Sequence, residues 1–339
     1  MSAHASQSAQ QVATTFIGDD DVARLSRWPA AVQALRQAYS QPMTPDMVPP
    51  RVMARGQGFW LRGLCAISPS GEYMGCKLIA ASPRIHRASY LISLFDQRTM
   101  DLVALIDGNR VTGIRTAATA VVAVDLAAPK RPLRVAVIGS GFEARSQLEA
   151  LLSVRTVASA AVFSPTPASR ERFAASFHAD HGLDITAAPS PQEAVAGADV
   201  VICAARSRDE QPVIRGEWLS PGMTVVSIGS TLPEQREVDE ATLARADLIV
   251  ADMPEEVAHD TGDALAAVAA GVDVVGKLVS LADVASGSVP GRRSETDIVL
   301  YKSVGSALQD VVIAEMLYRA ALASGRGATM PATIMTIDK

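Results

Sequence analysis

The second half of the chain alternates between short apolar runs and longer segments in which apolar residues recur with helical spacing. The run RVAVIG precedes the helical segment FEARSQLEALLSV, and further runs follow as AAVFS, DVVICAA, MTVVSIG and DLIVAD. Segments such as RERFAASFHAD and PQEAVAGA lie among them. Short continuous apolar runs are typical of strands buried on both faces. Because strands that alternate with helices form βαβ units, the pattern predicts an α/β domain with a parallel sheet.

The first third of the chain has a pattern typical of antiparallel strands. GFWLRGLCAIS and EYMGCKLIAAS flank Pro69–Gly71, and SYLISLFD and LVALID flank Gln97–Asp101, which predicts two hairpins. Three helices are predicted around them: one that begins at Pro29 beyond an N-cap cluster at Asp19–Asp21, one from about Thr112 to Leu126 with Arg115 in its first turn, and a long amphipathic one that ends at Gly325. The last helix lies outside the βαβ pattern, so we expect it to pack on the first domain.

Composition limits the class of protein. The 339 residues suggest two domains, and 48% hydrophobic with 20% charged residues is enough to fill a core. A net charge of −5 gives no electrostatic reason to expect nucleic acid or an anionic membrane as partner. The three cysteines form no CxxC pair, the N-terminus lacks the regions of a secretion signal, and apolar runs are shorter than the roughly 20 residues that span a bilayer. We therefore expect a cytoplasmic protein, with a disordered tail over about residues 1–14.

A glycine-rich turn follows the first strand of the parallel domain. Its GxGxxA pattern consists of Gly139, Ser140, Gly141, Phe142, Glu143 and Ala144. The first glycine permits a tight turn, the second lets the backbone approach a pyrophosphate, and Ala144 allows the helix to pack closely on the strand. The start of the following helix attracts phosphate through its N–H groups and its dipole. Since the turn joins a strand to a helix, it predicts a dinucleotide site.

The end of the next strand bears on which dinucleotide binds. A carboxylate at this point, about 20 residues after the turn, would bind the ribose 2′-hydroxyl of NAD. This chain has Ser164 and Thr166 there, followed by Arg170 and Arg172. Hydroxyl groups and an arginine suit a 2′-phosphate better than an acid does. NADP(H) is therefore the favoured cofactor and NAD(H) is possible, while the alternative for both arginines is a solvated helix face.

Binding a small amino or imino acid requires a group that holds its carboxylate. Arginine does this through its bidentate fork, and the candidates are Arg51, Arg55, Arg62 and Arg115. Composition alone does not show which of these arginines binds the carboxylate. Lys77 lies within an apolar strand, where a buried unpaired charge is costly, yet alternation leaves open whether it faces the core or solvent. The five histidines show no HxH or HExxH spacing, so no metal is expected.

Several stretches together resemble the ornithine cyclodeaminase/μ-crystallin family, from about residue 15 to 325. They are PPRV, MGCKL, LFD…ALIDGNRVTGIRTAATA, VIGSGFEARSQLEAL, SIGSTLPEQREVD and YKSVGSALQD, in this order along the chain. The resemblance implies a Rossmann domain (residues 129–303) inserted in an α+β substrate-binding and dimerisation domain (residues 1–128 and 304–339). It also implies a homodimer, and it implies that Arg51, Lys77 and Arg115 bind the substrate carboxylate and line the reacting centre.

One position of the family separates two chemistries. In members that convert ornithine to proline, the loop corresponding to Gly229–Pro233 carries an aspartate two residues before the proline, and its carboxylate moves protons on the substrate amines. Thr231 stands at that position here, next to Ser230, which we expect to contact the cofactor. A hydroxyl cannot act as a carboxylate base near neutral pH. In this respect the chain resembles the imine reductases of the family, which carry a hydroxyl residue there.

The favoured function is therefore NAD(P)H-dependent reduction of a cyclic ketimine acid, such as Δ1-pyrroline-2-carboxylate or Δ1-piperideine-2-carboxylate. Lys77 would help to supply the proton, and Thr231 would hydrogen-bond the imine nitrogen or a water. Three alternatives stay open. An ornithine or lysine cyclodeaminase with bound NAD would need another acid, such as Asp297 or Asp310. An amino-acid or opine-type dehydrogenase would need room for ammonia or a second amine. A non-catalytic crystallin-like binding protein would not need an intact Lys77, Arg115 and glycine turn.

Overall fold

The computed structural model describes residues 12–205, 209–332 and 334–337, so the greater part of the expected N-terminal tail lies outside the described residues. The chain divides into two compact units. Unit 1 comprises Met1–Ser26, Met43–Val111 and Asp310–Lys339, and unit 2 comprises Arg27–Pro42 and Thr112–Gln309. These limits fall inside two helices, whereas the domain limits expected from the sequence keep each helix whole. The division expected from the sequence, with one domain over residues 129–303 and the other over residues 1–128 and 304–339, stays a prediction.

Unit 1 contains a seven-stranded mixed sheet in the order β15-β1-β6-β5-β4-β3-β2. With numbering that runs along the whole chain, its strands are β1 (Thr15–Ile17), β2 (Val52–Gly56), β3 (Phe59–Ile67), β4 (Tyr73–Ser82), β5 (Arg87–Asp96), β6 (Leu102–Asp107) and β15 (Ala328–Thr329). Strands β2 to β6 form an antiparallel meander, and β1 pairs in parallel with β6. The two predicted hairpins are the β3–β4 and β5–β6 turns.

The two faces of the meander differ sharply in exposure. Ile79, Ile92 and Leu94 are buried on one face, and Lys77 lies on that face with 1% of its surface exposed. The other face, which we call the apolar sheet face, carries Val52, Phe59, Leu61, Ile67, Leu78 and Leu91, all of them 39% exposed or more. Alternation along a strand fixes which residues share a face, but not which face is covered. The structure thus resolves the open question about Lys77.

Unit 2 contains an eight-stranded sheet in which every pair is parallel, in the order β13-β12-β14-β11-β10-β7-β8-β9. Its strands are β7 (Leu133–Ile138), β8 (Val157–Phe163), β9 (Ile185–Ala187), β10 (Val200–Cys203), β11 (Thr224–Ser227), β12 (Leu248–Ala251), β13 (Leu278–Ser280) and β14 (Val299–Lys302). The predicted α/β fold with a parallel sheet is confirmed. The sequence pattern missed β9 and β13, which have three residues each, and β14, which ends in a lysine.

Helices accompany both sheets. They are α1 (Asp19–Leu25), α2 (Trp28–Ser40), α3 (Gly108–Ala127), α4 (Phe142–Leu152), α5 (Pro167–His181), α6 (Pro191–Val195), α7 (Glu240–Arg245), α8 (Pro254–Asp260), α9 (Gly262–Ala269), α10 (Leu281–Ala285) and α11 (Ala307–Ser324). Unit 1 includes α1, the start of α3 and α11 from Asp310 onwards; the other helices belong to unit 2. Within the described part of the chain, no helix is long and apolar enough to cross a bilayer.

Three details of the helices differ from the sequence prediction. Asp19–Asp21 form the first turn of α1 and do not cap it, since Gly18 occupies the N-cap position. Helix α3 begins at Gly108, four residues earlier than expected, so Arg115 lies beyond its first turn. Helix α11 is buried on nearly every side from Ala307 to Tyr318, although an amphipathic helix was expected. A helix buried all round shows no polar stripe, and its sequence therefore gives little directional signal.

Candidate functional site

The strand order of unit 2 places a switch point at the end of β7. From β7 the chain proceeds to β8 and β9 on one side, whereas β10, β11 and β14 lie on the other. Connections that leave in opposite directions open a crevice at the carboxyl ends of the two central strands, and ligands of open α/β sheets bind there. The glycine turn, which follows β7 directly, occupies this point.

Glycine occupies the two positions of the turn for different structural reasons. Gly139 has φ +116°, and a Cβ atom there would lie 2.6 Å from the carbonyl oxygen of Ala204. Gly141 is the N-cap of α4, and a Cβ atom there would have no atom of the described residues within 4 Å. Gly139 is thus required by the protein itself, whereas Gly141 keeps open space over the start of a helix. Such space suits a pyrophosphate.

The other residues of the turn are placed in different ways. Ala144 is fully buried, as close packing of α4 on the sheet requires. Phe142 is 57% exposed, and its ring packs over Gly113 of α3, where a Cβ would lie 2.3 Å from the ring. Glu143 is half-buried. Ser140 lines a cavity of about 530 Å³ together with Arg145, Ser169, Arg172, Phe173, Ala175 and Ser176.

The cavity distinguishes the two arginines that follow β8, because only one of them lines it. The Nη1 group of Arg170 donates to the backbone oxygen of Ser164 at 3.0 Å, and its guanidinium lies 5.7 Å from the ring centre of Phe163. Arg170 therefore braces the end of β8. Arg172 lies in the cavity beside the glycine turn, and so does Arg145 on the first turn of α4. Arg145 was not among the residues predicted from the sequence, although its place one residue after the GxGxxA pattern was a usable signal.

The loop Gly229–Pro233 follows β11 and so lies at the same carboxyl edge as the glycine turn. The backbone N–H and the hydroxyl of Thr231 donate to Oε1 of Gln235 at 2.9 and 3.1 Å. Ser230 is fully buried, and its hydroxyl donates to the backbone oxygen of Gln235 at 2.6 Å. Since the hydroxyl proton of Thr231 is directed at Gln235, its oxygen is oriented as an acceptor. A cofactor contact of Ser230 stays a prediction.

A buried ionic cluster lies under this loop. Lys302 pairs with Asp263 at 2.8 Å and donates to the hydroxyl oxygen of Ser227, which in turn donates to Glu237 at 2.6 Å. The same Glu237 oxygen accepts the N–H of Gly229 at 2.8 Å. Burial raises the pKa of Glu237, and the charge of Lys302 opposes that shift. A chain of polar groups thus fixes the backbone at the base of the Thr231 loop, and no motif in the sequence pointed to it.

Arg115 is held by another buried network of unit 2. Its Nη1 group donates to Oε1 of Gln309 at 2.9 Å, and the guanidinium lies against Gly305, where a Cβ would be 2.3 Å away. The amide nitrogen of Gln309 donates to Asp252 at 2.9 Å and to the hydroxyl of Tyr39 at 3.0 Å. Burial raises the pKa of Tyr39 well above its ordinary value, so this phenol is neutral.

In unit 1, Lys77 pairs with Asp310. Their atoms Nζ and Oδ1 are 3.0 Å apart, both side chains are 1% exposed, and the ring centre of Tyr90 lies 5.4 Å from Nζ. Arg51 is half-buried immediately before β2. Of the two acids that the sequence left open, Asp310 meets the candidate lysine, whereas Asp297 caps the backbone N–H groups of Arg293 and Ser294 in the loop before β14.

The described residues contain no group of three or more histidine, cysteine or acidic side chains that could hold a metal ion. His259 and His178 instead lie beside single acidic residues, Glu255 and Asp184, near the surface.

Residues 23–325 match the model of the ornithine cyclodeaminase/mu-crystallin family. The chain belongs to this family. It is 32% identical over 233 residues to the ketimine reductase mu-crystallin of Mus musculus, an alignment that covers 69% of each chain.

Solved structures of family relatives have the same fold. The Δ1-pyrroline-2-carboxylate reductase of Thermococcus litoralis, in complex with NADH and L-proline, superposes with a TM-score of 0.86 at 26% identity, and the match covers 94% of this chain and 100% of that one. An archaeal alanine dehydrogenase dimer with bound NAD superposes with a TM-score of 0.83 at 26% identity, covering 94% and 98%. The Rossmann-like domain predicted from the glycine turn is thus confirmed as a fold.

The two glycines allow a test of the site that separates folding from binding. We expect Gly141→Ala to keep the wild-type melting temperature, because its methyl group meets no described protein atom, yet to weaken NADH and NADPH binding about tenfold or more, because the methyl fills the path of the pyrophosphate. Gly139→Ala should lose about 1–3 kcal/mol of stability as well, owing to its backbone strain. Thermal unfolding and fluorescence titration measure the two effects. Unchanged cofactor affinity in Gly141→Ala would contradict the assignment.

Proposed function

We propose that this protein reduces a cyclic ketimine acid, such as Δ1-pyrroline-2-carboxylate or Δ1-piperideine-2-carboxylate, to the cyclic amino acid, proline or pipecolate. The relation to ketimine and Δ1-pyrroline-2-carboxylate reductases supports an NAD(P)-dependent oxidoreductase that acts on C–N or C=N bonds. The observation that carries the substrate proposal is the state of Thr231. Its position holds a neutral hydroxyl whose proton is donated to Gln235, and not a carboxylate base.

The residues divide the work of the reaction between them. The turn Gly139–Ala144 is proposed to hold the pyrophosphate of the cofactor, which supplies the hydride to the imine carbon when bound. Arg51, Lys77 and Arg115 are assigned the substrate carboxylate, as the family resemblance implies. Lys77 is the ammonium donor proposed to keep the imine nitrogen protonated, and the Thr231 oxygen would accept the hydrogen bond of that N–H.

The main alternative is a cyclodeaminase with bound NAD, and one observation bears on it. Asp310 is an acid beside Lys77, as that alternative requires. Its Oδ1 atom already accepts a hydrogen bond from the Lys77 ammonium at 3.0 Å, so this oxygen is engaged by a side chain of the protein. The reductase therefore accounts for the arrangement better than the lyase does.

The proposal predicts which substrates are turned over. The purified protein should oxidise NADPH or NADH with Δ1-pyrroline-2-carboxylate and should form no proline from ornithine with NAD⁺. Absorbance at the nicotinamide band and amino-acid analysis report the two reactions. Proline and ammonia from ornithine, without net change of cofactor, would contradict the reductase and favour the alternative.

A pair of variants at Thr231 serves as the control for its role. Thr231→Ser keeps the acceptor oxygen and should retain kcat within a few-fold, whereas Thr231→Val removes it and should lower kcat about tenfold, the scale of one hydrogen bond made in the transition state. Equal rates in the two variants would remove Thr231 from the mechanism.

The cofactor is proposed to be NADP(H), with NAD(H) as the alternative. Support comes from the cavity that contains Ser140, Arg145, Ser169 and Arg172, because two guanidinium groups and hydroxyls beside the pyrophosphate turn suit a 2′-phosphate. The two solved structures named above contain NADH and NAD, so the support for NADP(H) comes from the residues of this chain and not from those structures. Ser164, Thr166 and Arg170 remain proposed cofactor residues through the adenosine ribose and the backbone of β8.

This choice predicts a selective loss of affinity. Arg172→Ala should raise the KM for NADPH about tenfold, through loss of a charge-assisted hydrogen bond, and should leave the KM for NADH unchanged. Arg215→Ala, an exposed arginine at the N-cap of a short 3-10 turn far along the chain, is the control. An equal effect on both cofactors, or none, would overturn the proposed 2′-phosphate contact.

A homodimer is proposed to form through the apolar sheet face of unit 1. Its six large apolar side chains on neighbouring strands leave a continuous exposed patch, which monomeric proteins rarely carry. The archaeal alanine dehydrogenase similar to this chain is described as a dimer. An antiparallel meander with one apolar exposed face can bury that face against a second copy.

Disruption of this face should change the mass in solution. Leu78 is 40% exposed and lies opposite Leu91. The variant Leu78→Lys should therefore be a monomer of about 35.6 kDa. Leu265→Lys on α9 of unit 2 is the matched control, since Leu265 is 39% exposed. Sedimentation velocity distinguishes the species. A dimer that persists in Leu78→Lys would place the interface elsewhere.

A further inference from the structure

We propose that two consecutive residues of α11, Gln309 and Asp310, are positioning residues for the two cations assigned to the substrate: Gln309 orients Arg115, and Asp310 orients Lys77. This inference rests on the proposed function, because it concerns the residues assigned to the substrate carboxylate. Neither Gln309 nor Asp310 touches substrate in the proposed scheme. Each acts through the side chain that it holds.

The amide of Gln309 has a fixed direction. Its nitrogen donates to the carboxylate of Asp252 and to the hydroxyl of Tyr39, while its oxygen accepts from Arg115. The side chain is fully buried, so a flipped amide would set an N–H against the guanidinium and an oxygen against a carboxylate. Asp252 thereby polarises the amide toward Arg115. A carboxylate acts on the guanidinium through one neutral group, without neutralising it directly.

Asp252 is itself held by several donors. It accepts the hydroxyl of Ser303 at 2.6 Å and the backbone N–H groups of Val304 and Gly305 at 3.0 and 2.8 Å. The same Gly305 is the surface on which the Arg115 guanidinium rests, and its φ of +78° suits glycine. The turn that carries Gly305 and the amide of Gln309 therefore constrain Arg115 from two directions.

Asp310 has a simpler role with a larger electrostatic effect. A buried ammonium is stable only with a partner, and Asp310 is the carboxylate at 3.0 Å from Lys77. Asp310 lies in the first turn of α11, where the helix dipole favours a negative charge. The pair therefore gives Lys77 a counter-charge at hydrogen-bond distance, and an ammonium is the form that a proton donor and a carboxylate ligand both require.

Consecutive residues of a helix point about 100° apart, so one turn can serve two different cations. Gln309 and Asp310 use this geometry, since one contacts Arg115 within unit 2 and the other contacts Lys77 within unit 1. Each of the two residues then holds a cation of its own unit. This explains why α11 is buried along its start even though it carries polar residues there.

The test compares Gln309→Leu, Gln309→Glu, Asp310→Asn and Asp310→Glu. Gln309→Glu puts a carboxylate directly on Arg115 and should raise the KM for Δ1-pyrroline-2-carboxylate about 10- to 100-fold, the scale of a lost charge-assisted hydrogen bond, with the KM for the nicotinamide cofactor unchanged. Asp310→Asn should lower kcat/KM for the imine by a similar factor, and Asp310→Glu should restore part of it because the charge is kept. Glu315→Gln is the control, as Glu315 is a second poorly exposed carboxylate of α11 and contacts Ser68, Ser70 and Arg319.

Two further readouts separate this inference from the proposed function. Calorimetric titration of L-proline into each variant with saturating NADH measures the carboxylate site without turnover, and weaker binding in Gln309→Glu and Asp310→Asn supports the inference even if the wild type reduces no imine. Crystal structures of Gln309→Leu and Asp310→Asn give a readout independent of any ligand. Displacement of the Arg115 guanidinium or the Lys77 ammonium supports positioning. Cations that stay in place, or imine and cofactor constants that change equally, would overturn it.

Discussion

The cost of removing charge from water governs the interior of this protein. Lys77 and Lys302 are each 1% exposed, and each meets an aspartate that is as deeply buried. Loss of one partner of such a pair costs about 3–5 kcal/mol, since the other charge stays buried alone. Neither pair is the most stabilising way to fill a core, because apolar side chains of similar volume often stabilise a protein as well or better. The pairs are therefore better explained by what they hold in place than by stability.

Two groups of buried charges lie next to segments with a proposed role. The Lys302 cluster fixes Gly229 at the base of the Thr231 loop, and Asp252 fixes the turn under Arg115. The parallel sheet adds a second constraint, since all of its strands end at one edge and the connections reverse between β7 and β10. The glycine turn and the Thr231 loop share that edge because of topology. Hydrogen bonds from buried polar groups then fix the backbone at Gly229 and Gly305.

The sequence predicted what periodicity and local spacing can carry. The alternation of strands and helices predicted the parallel sheet, and the GxGxxA pattern between β7 and α4 predicted its dinucleotide turn. Periodicity could not place β14, because a four-residue strand ending in Lys302 resembles a loop until its neighbours are known. It also could not reveal that Lys77 meets Asp310, which lies 233 residues away along the chain. Pairings at such a distance are set by topology, and local pattern does not record them.

Local pattern also did not predict the separate roles of two neighbouring arginines in the proposed cofactor region. Arg170 and Arg172 are two residues apart and looked equivalent, yet one braces the backbone of Ser164 and the other lines the cavity beside Ser140. Residues two apart on a helix point about 200° from each other, so they rarely serve the same neighbour. The cation next to the glycine turn is then decided by helical phase and not by residue type. Arg145 of α4 lines the same cavity as Arg172, so the proposed 2′-phosphate would have these two guanidinium groups beside it, whereas Arg170 is engaged with the backbone of Ser164.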